Sequence, residues 1–254
     1  MTPTAPDTVR VLGVPLARLT IEEAVDRALA GGLVLAPSGP GLCDIARDPG
    51  YRAALLESDM NLTDSGLVIL WYAARHREML PRTSGLGFLQ SLLQRPELKQ
   101  DGATFWVMPS ASSMERNLEW LRDQGLPVTR DDCYVAPVYP RRGVVEDETL
   151  LRILDHRRPG HVFVCVGSGP QEKLGVYLRR RLTFGPGIHC IGAAIGFLSG
   201  DQVVIPRWAD RLMLGWLIRC IDDPKRYVPR YARAARLAYF LARYGAESPP
   251  VTSR

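Results

Sequence analysis

Short runs that are apolar at every position alternate with amphipathic stretches through most of this chain, and that alternation restricts the fold more than any other feature. "GLVLAPSGP", "ATFWVMPSA", "DCYVAPVYP", "HVFVCVGSG" and "GIHCIGAAIGF" read as strands. "DPGYRAALLESD", "SMERNLEWLRDQG" and "EDETLLRILDHRRPG" read as helices between them. Strands without a polar face must be covered on both sides, so the pattern predicts a mostly parallel sheet with helices on both faces. Ahead of it, "VRVLGVPLARL" predicts a β-hairpin, and Thr20 with Glu23 predicts a capping box that opens a helix. "MNLTDSGLVILWYAARH" adds a short strand, a turn at Asp64-Ser65-Gly66 and a helix, and "RTSGLGFLQSLL" adds another helix.

The expected fold class is therefore α/β, with a Rossmann-like domain over residues 1–200. With 254 residues, 46% of them hydrophobic, the chain is long enough to bury a sizeable core. Beyond Gly200 the pattern changes to helices alone. Nine basic residues from Arg207 to Arg243 face only three acids there, Asp210, Asp222 and Asp223, and aromatic residues are interleaved among them. This predicts a basic helical appendage over 201–245 that associates with membranes, and a disordered tail over 246–254. A basic, aromatic surface of this kind also suits nucleic acid or a diphosphate, and composition leaves those alternatives open.

No stretch reaches the roughly 18 to 20 apolar residues that span a bilayer, and "MTPTAPDTVRVLG" lacks the pattern of a signal peptide. The five scattered cysteines show neither a disulfide framework nor metal-ligand pairing, which predicts a reducing cytoplasm. The four histidines have no HxxxH or HxH spacing, so no metal site and no cofactor are expected.

Ligands of parallel α/β sheets bind beyond the carboxyl ends of the strands. Three loops are expected there: Ala36 to Gly39, Thr63 to Gly66 and Gly167 to Gln171. Asp64 in "LTDSG" has two readings, a helix N-cap or a general base, and position alone does not separate them. "GSGPQEK" is either a structural turn or an anion-binding helix start that carries Gln171 and Glu172. It lacks the lysine of a P-loop and the spacing of a dinucleotide fingerprint.

Together these stretches resemble the WecG/TagA/CpsF family of bacterial glycosyltransferases (glycosyltransferase family 26). Family members carry, in order, T-x-N, D-G, R-x-x-G, G-S-P-K-Q-E-K, D-F-x-x-G, R-A-P-x-W, G-L-E-W and E-P-x-R. The matching stretches are "LAPSGP", "LTDSGLVILW", "PRTSGLGFL", "VGSGPQEK", "GAAIGFLSG", "VIPRWADRLMLGWLIR" and "DDPKRYVPRY", from about residue 10 to 235. Asp64, Arg82, Gly85, Gln171, Glu172, Lys173, Pro206, Trp208, Trp216, Arg219, Pro224 and Arg226 keep the pattern. Ala36 and Ser38 stand for its threonine and asparagine, Gly196 for its aspartate, Gly215 for its glutamate, and Val204-Ile205 for R-A. The member is divergent.

The resemblance implies inverting, metal-independent transfer of a sugar from a UDP-sugar to a sugar on undecaprenyl diphosphate, in bacterial surface or exopolysaccharide synthesis. Candidate donors are UDP-glucose, UDP-N-acetylmannosamine or its uronic acid. It implies Asp64 as base, with Arg219 and Arg226 as catalytic cations. Ala36, Ser38, Arg82, Gly85, Gly167, Gln171, Glu172, Arg207 and Arg211 are implied to bind substrate. The expected place is the inner face of the cytoplasmic membrane, on anionic lipid, with no nucleic acid; a homo-oligomer is compatible. The lost motif residues also fit a catalytically silent nucleotide-sugar-binding or scaffold protein. A Rossmann oxidoreductase is a weaker rival, because no GxGxxG follows the first strand.

Overall fold

The computed structural model of the protein describes residues 8–202, 206, 208–209, 214–232 and 234–252. The chain opens with the expected hairpin, β1 (Thr8–Val11) against β2 (Val14–Ala17), antiparallel with Val11 opposite Val14. Leu12 and Gly13 at its tip both have positive φ, as a two-residue hairpin turn demands. The helix α1 (Ile21–Leu29) follows, closed by the Thr20–Glu23 capping box.

Six parallel strands form the main sheet: β3 (Gly32–Leu35), β4 (Met60–Asn61), β5 (Thr104–Met108), β6 (Cys133–Val135), β7 (His161–Val164) and β8 (Gly187–Cys190). Their order is β4-β3-β8-β7-β5-β6. Every residue of β5, β7 and β8 is buried, which is the reason those runs carry no polar alternation. The chain places β3 and β4 on one side, crosses to β5 and β6 on the other, and returns to fill the centre with β7 and β8. The loops after β3 and β8 therefore leave from the middle of the sheet.

Helices cover both faces. On one side lie α3 (Pro49–Glu57), α7 (Glu148–Arg157) and α8 (Pro170–Arg181), whose Leu55, Leu150, Leu154, Leu174 and Leu178 pack with the hairpin residues Val11 and Leu16. On the other lie α1, α5 (Gly85–Leu92) and α6 (Ala111–Asp123), packed through Val25, Phe88, Leu89, Leu118 and Leu121. Two short helices sit at the carboxyl edge, α2 (Gly39–Leu42) and α9 (Ala194–Ser199), and α4 (Gly66–His76) follows β4. The run "GIHCIGAAIGF" is thus not one strand. It breaks at Gly192, whose φ is +60°, and its second half turns helical.

The carboxyl-terminal segment differs most from expectation. After α10 (Gly215–Asp222) and α11 (Pro224–Ala232), the helix α12 (Ala234–Tyr244) places Leu237, Phe240 and Leu241 in the main core beside Leu42 and Val68. Their 3,4 spacing makes one apolar stripe, and burying it against α2 and α4 stabilises α12 as part of the domain. A boundary at residue 200 does not describe this packing. Nor are residues 246–252 loose: the N–H groups of Leu12 and Gly13 donate to Gly245 and Ala246 carbonyls at 2.8 Å, and Thr252 N–H donates to Ala46 O at 2.8 Å. A Cβ on Gly13 would lie 1.8 Å from Ser248 Oγ, so the close approach of this segment requires glycine at the hairpin tip.

Candidate active site

The loops that follow β3, β4, β5, β7 and β8 enclose one cavity of ≈ 840 Å³ at the carboxyl edge of the sheet. Ala36, Ser38, Asp64, Arg82, Gly85, Gly167, Gln171 and Arg219, all named from the sequence, line it together. The three expected loops do converge, as the topology of such sheets requires.

Asp64 lies between two helix starts. The cap residue of α4 is Ser65, which makes no side-chain capping bond. The Asp64 carboxylate instead accepts, through Oδ1, the backbone N–H of Gly85, the first residue of α5, at 3.1 Å. The loop beneath is pinned by buried hydroxyls: Thr63 Oγ1 donates to Ala17 O at 2.8 Å and Thr83 Oγ1 to Leu19 O at 2.6 Å. Gly85 has no side chain for a physical reason, since a Cβ there would stand 3.1 Å from Ala36 Cβ. Ser38 caps α2 by accepting Gly41 N–H at 3.3 Å.

The turn after β7 is built from within. Glu172, expected to bind substrate, is not on the cavity wall. It is fully buried, accepts the N–H of Gly169 at 2.6 Å and receives Gln171 Nε2 at 3.0 Å. Burial pushes its carboxyl pKa up, against the hydrogen bonds from Gln171 and the surrounding turn. Glu172 therefore shapes the turn and orients the Gln171 amide, whose Oε1 has no protein partner. Lys173 is structural too: its Nζ pairs with Asp48 at 3.0 Å, tying α8 to the start of α3.

Across the cavity, Arg219 holds its guanidinium 4.2 Å from the Phe197 ring centre and donates to Tyr231 Oη at 2.8 Å. A cation over an aromatic face is held there by the ring quadrupole. Arg207 and Arg211 lie outside the described residues, as do Val204 and Ile205, and so does the side chain of Arg226, whose backbone belongs to α11.

Several wall residues were not named from the sequence. Ser110 and Ser113 follow β5, and Asp201 and Gln202 follow α9. Ser110 stands at a strand end before a helix, a position that could have been read. Asp201 reaches Ser113 across 88 positions of sequence, and nothing local marks that contact. His161 and His189, which flank strands in the sequence, are buried partners with Nδ1 and Nε2 3.1 Å apart at the opposite end of the sheet. Among the described residues, no group of three His, Cys, Asp or Glu is placed to hold a metal ion, and no helix is long and apolar enough to cross a membrane.

A parallel Rossmann-like sheet with an open cavity at its carboxyl edge, lined by the carboxylates of Asp64 and Asp201 and by Arg82 and Arg219, is the α/β class of fold with a ligand-sized site where such sheets bind ligands. The chain matches the model of the glycosyl transferase WecG/TagA/CpsF family over residues 9–249, nearly its whole length, and belongs to that family. It is a glycosyltransferase-family protein. No curated protein matches the chain.

Proposed function

We propose that this protein transfers a sugar, with inversion, from a UDP-sugar to a sugar on a polyprenyl diphosphate, and that Asp64 is the base. The observation that carries this reading is the placement of Asp64 on the cavity wall with one carboxylate oxygen held by Gly85 N–H. The acceptor hydroxyl oxygen attacks the anomeric carbon, its proton passes to Asp64, and the bond to the diphosphate breaks with the electron pair on the departing oxygen. Attack opposite the leaving group inverts the centre. Arg82 and Arg219 line the same cavity and would offset the charge that develops on the diphosphate. The first turn of α4, uncapped by a side chain and lining the cavity through Ser65 to Leu67, adds N–H groups for an anion.

The cavity mouth supports a membrane-bound acceptor. Helix α10 has no buried residue, and Trp216, Leu217 and Ile221 on it are exposed beside exposed Trp208 and Val228. Lys225, Arg236 and Arg243 lie on the helices that follow. Apolar and aromatic side chains entering the headgroup region next to basic residues would hold the open mouth against an anionic bilayer. The location on the inner face of the cytoplasmic membrane belongs to this proposal.

The test is transfer by the full-length protein from a panel of UDP-sugars to a short-chain lipid-diphosphate-sugar acceptor, with release of UDP and product anomeric configuration measured. Inverted product that disappears in Asp64→Asn supports the reading. UDP binding without transfer to any acceptor in the wild type would point to the silent protein instead.

A further inference from the structure

Beside Gly196, two residues from the next turn fill the wall. A Cβ at position 196 would stand 3.4 Å from Gln202 Cγ, 3.5 Å from Gln202 Nε2 and 3.6 Å from Asp201 Cβ. Gln202 N–H donates to Gly196 O at 2.8 Å, which sets the turn against α9. Both side chains line the cavity that holds Asp64.

Their hydrogen bonds leave a defined pair of functions. Ser113 Oγ donates to Asp201 Oδ2 at 2.7 Å, and Ser110 Oγ donates to Ser113 Oγ at 3.1 Å. Arg116 donates through Nε to Asp201 Oδ1 at 2.7 Å, and its Nη2 reaches the same oxygen. Asp201 is nearly buried while Arg116 is half exposed, so water screens the cation more than the carboxylate. A carboxylate oxygen has more than one lone pair, so Oδ2 retains an acceptor site toward the cavity. Tyr227 Oη donates to Gln202 Oε1 at 3.3 Å, which fixes that amide and turns Nε2 outward as a donor.

We propose that Asp201 and Gln202 form a subsite for a neutral, hydroxyl-bearing sugar ring and exclude a uronate from it. An acceptor beside a donor matches two adjacent hydroxyls, one giving its hydrogen to Asp201 and the other accepting from Gln202. A ring carboxylate placed there meets the Asp201 carboxylate at close range, while among the described residues Arg116 is already paired with Asp201 and Arg219 is held by the Phe197 ring and Tyr231 Oη, so the like charges reject that ligand. The inference rests on the sugar-transfer reading and names the ring chemistry that the site accepts. The ring belongs either to the nucleotide donor or to the acceptor.

The experiment separates these sources. Calorimetry on the full-length protein would compare UDP, UDP-glucose and UDP-glucuronate in one arm. In the other, with UDP present, it would compare a short-chain lipid diphosphate carrying glucose or glucuronate. We expect the neutral ring to bind about tenfold or more tightly than the uronate in one arm, and that arm identifies the ring. Asp201→Asn should bring the ratio toward one, whereas Arg116→Gln, which strips the carboxylate of its cation, should widen it. Opposite shifts cannot arise from a general loss of folding. Equal affinities in both arms of the wild type, a preference for uronate, or a ratio unmoved by both substitutions would overturn the subsite. Failure of UDP itself to bind would instead bring down the transfer reading, and the subsite's ligand with it.

Discussion

Asp64 and Gly85 are joined by one hydrogen bond, carboxylate Oδ1 to backbone N–H at 3.1 Å, and it makes a carboxylate after one strand an acceptor for the first N–H of the next helix but one, whose own cap is Ser84. The bond also aims the side chain, because Gly85 belongs to a helix that the core holds rigid through Phe88 and Leu89.

Replacing Asp64 by Asn keeps a carbonyl that can accept the Gly85 N–H but removes the basic oxygen. Transfer should fall by ~10²-fold or more, the scale of general-base loss, while UDP affinity and thermal stability change little. Single-turnover transfer and calorimetry check both halves. Near wild-type transfer would reduce Asp64 to a helix cap.

Arg219 is fixed between the Phe197 ring and Tyr231 Oη. Arg219→Ala should lower turnover on a water-soluble acceptor by about 10²-fold, the effect of deleting one charge-assisted donor to a leaving group. Arg219→Lys should recover only part of it, because an ammonium lacks the planar fork that stacks on Phe197 while bonding Tyr231. Full activity of the alanine variant at saturating donor would remove Arg219 from the account of the diphosphate and make Arg82 the next candidate.

Transfer should survive EDTA, since the proposed counter-charges are guanidinium groups. The assay is run in chelator and again after adding Mg²⁺ or Mn²⁺. Loss and recovery of activity across that pair of conditions would replace the arginine account by a metal-assisted one.

Removing α12 should damage the whole domain. Leu237 and Leu241 are fully buried, and a buried leucine truncated to alanine costs about 2–5 kcal/mol. Leu237→Ala should lower the midpoint of chemical unfolding clearly, and a chain ending at Ala232 should fail to unfold cooperatively. A cooperative 1–232 fragment as stable as the full chain would show that α12 only rests on the surface.

Acid should weaken the fold through His161 and His189. Burial lowers the pKa of both below the ordinary 6.5, His189 furthest, with His161 nearby adding to the effect. Below pH 6.5 the unfolded chain therefore binds protons that the folded chain excludes. The stability is intact above that value and is lost as pH falls beneath it, by up to about 1.4 kcal/mol per pH unit for each histidine. Urea unfolding at pH 7 and pH 5 should show the loss, and His189→Phe should reduce it. An unchanged slope in that variant would assign the acid sensitivity to other groups.

What could be read from the chain were features that depend on a few neighbouring residues. The strand runs, the hairpin, the Thr20–Glu23 box and the strand-end loops at Ala36, Asp64 and Gly167 each follow from local period, turn chemistry or capping. Local period could not say where "GIHCIGAAIGF" changes from strand to helix, because the break comes from the backbone at Gly192. Nor could it tell that Glu172 faces inward, since neighbours on one helical turn face different directions and the neighbouring elements choose among them.

The sequence by itself determined that this protein is a parallel α/β domain whose strand-end loops gather at the carboxyl edge, because an apolar run covered on both faces has few other uses. Only the tertiary structure decided what each polar group there does. Asp64 finds Gly85, Ser113 finds Asp201 88 residues away, and the last helix finds the core through Leu237. Such pairings depend on the order in which strands fill the sheet. That order arises from burying all the apolar faces at once, and no short window of sequence contains it.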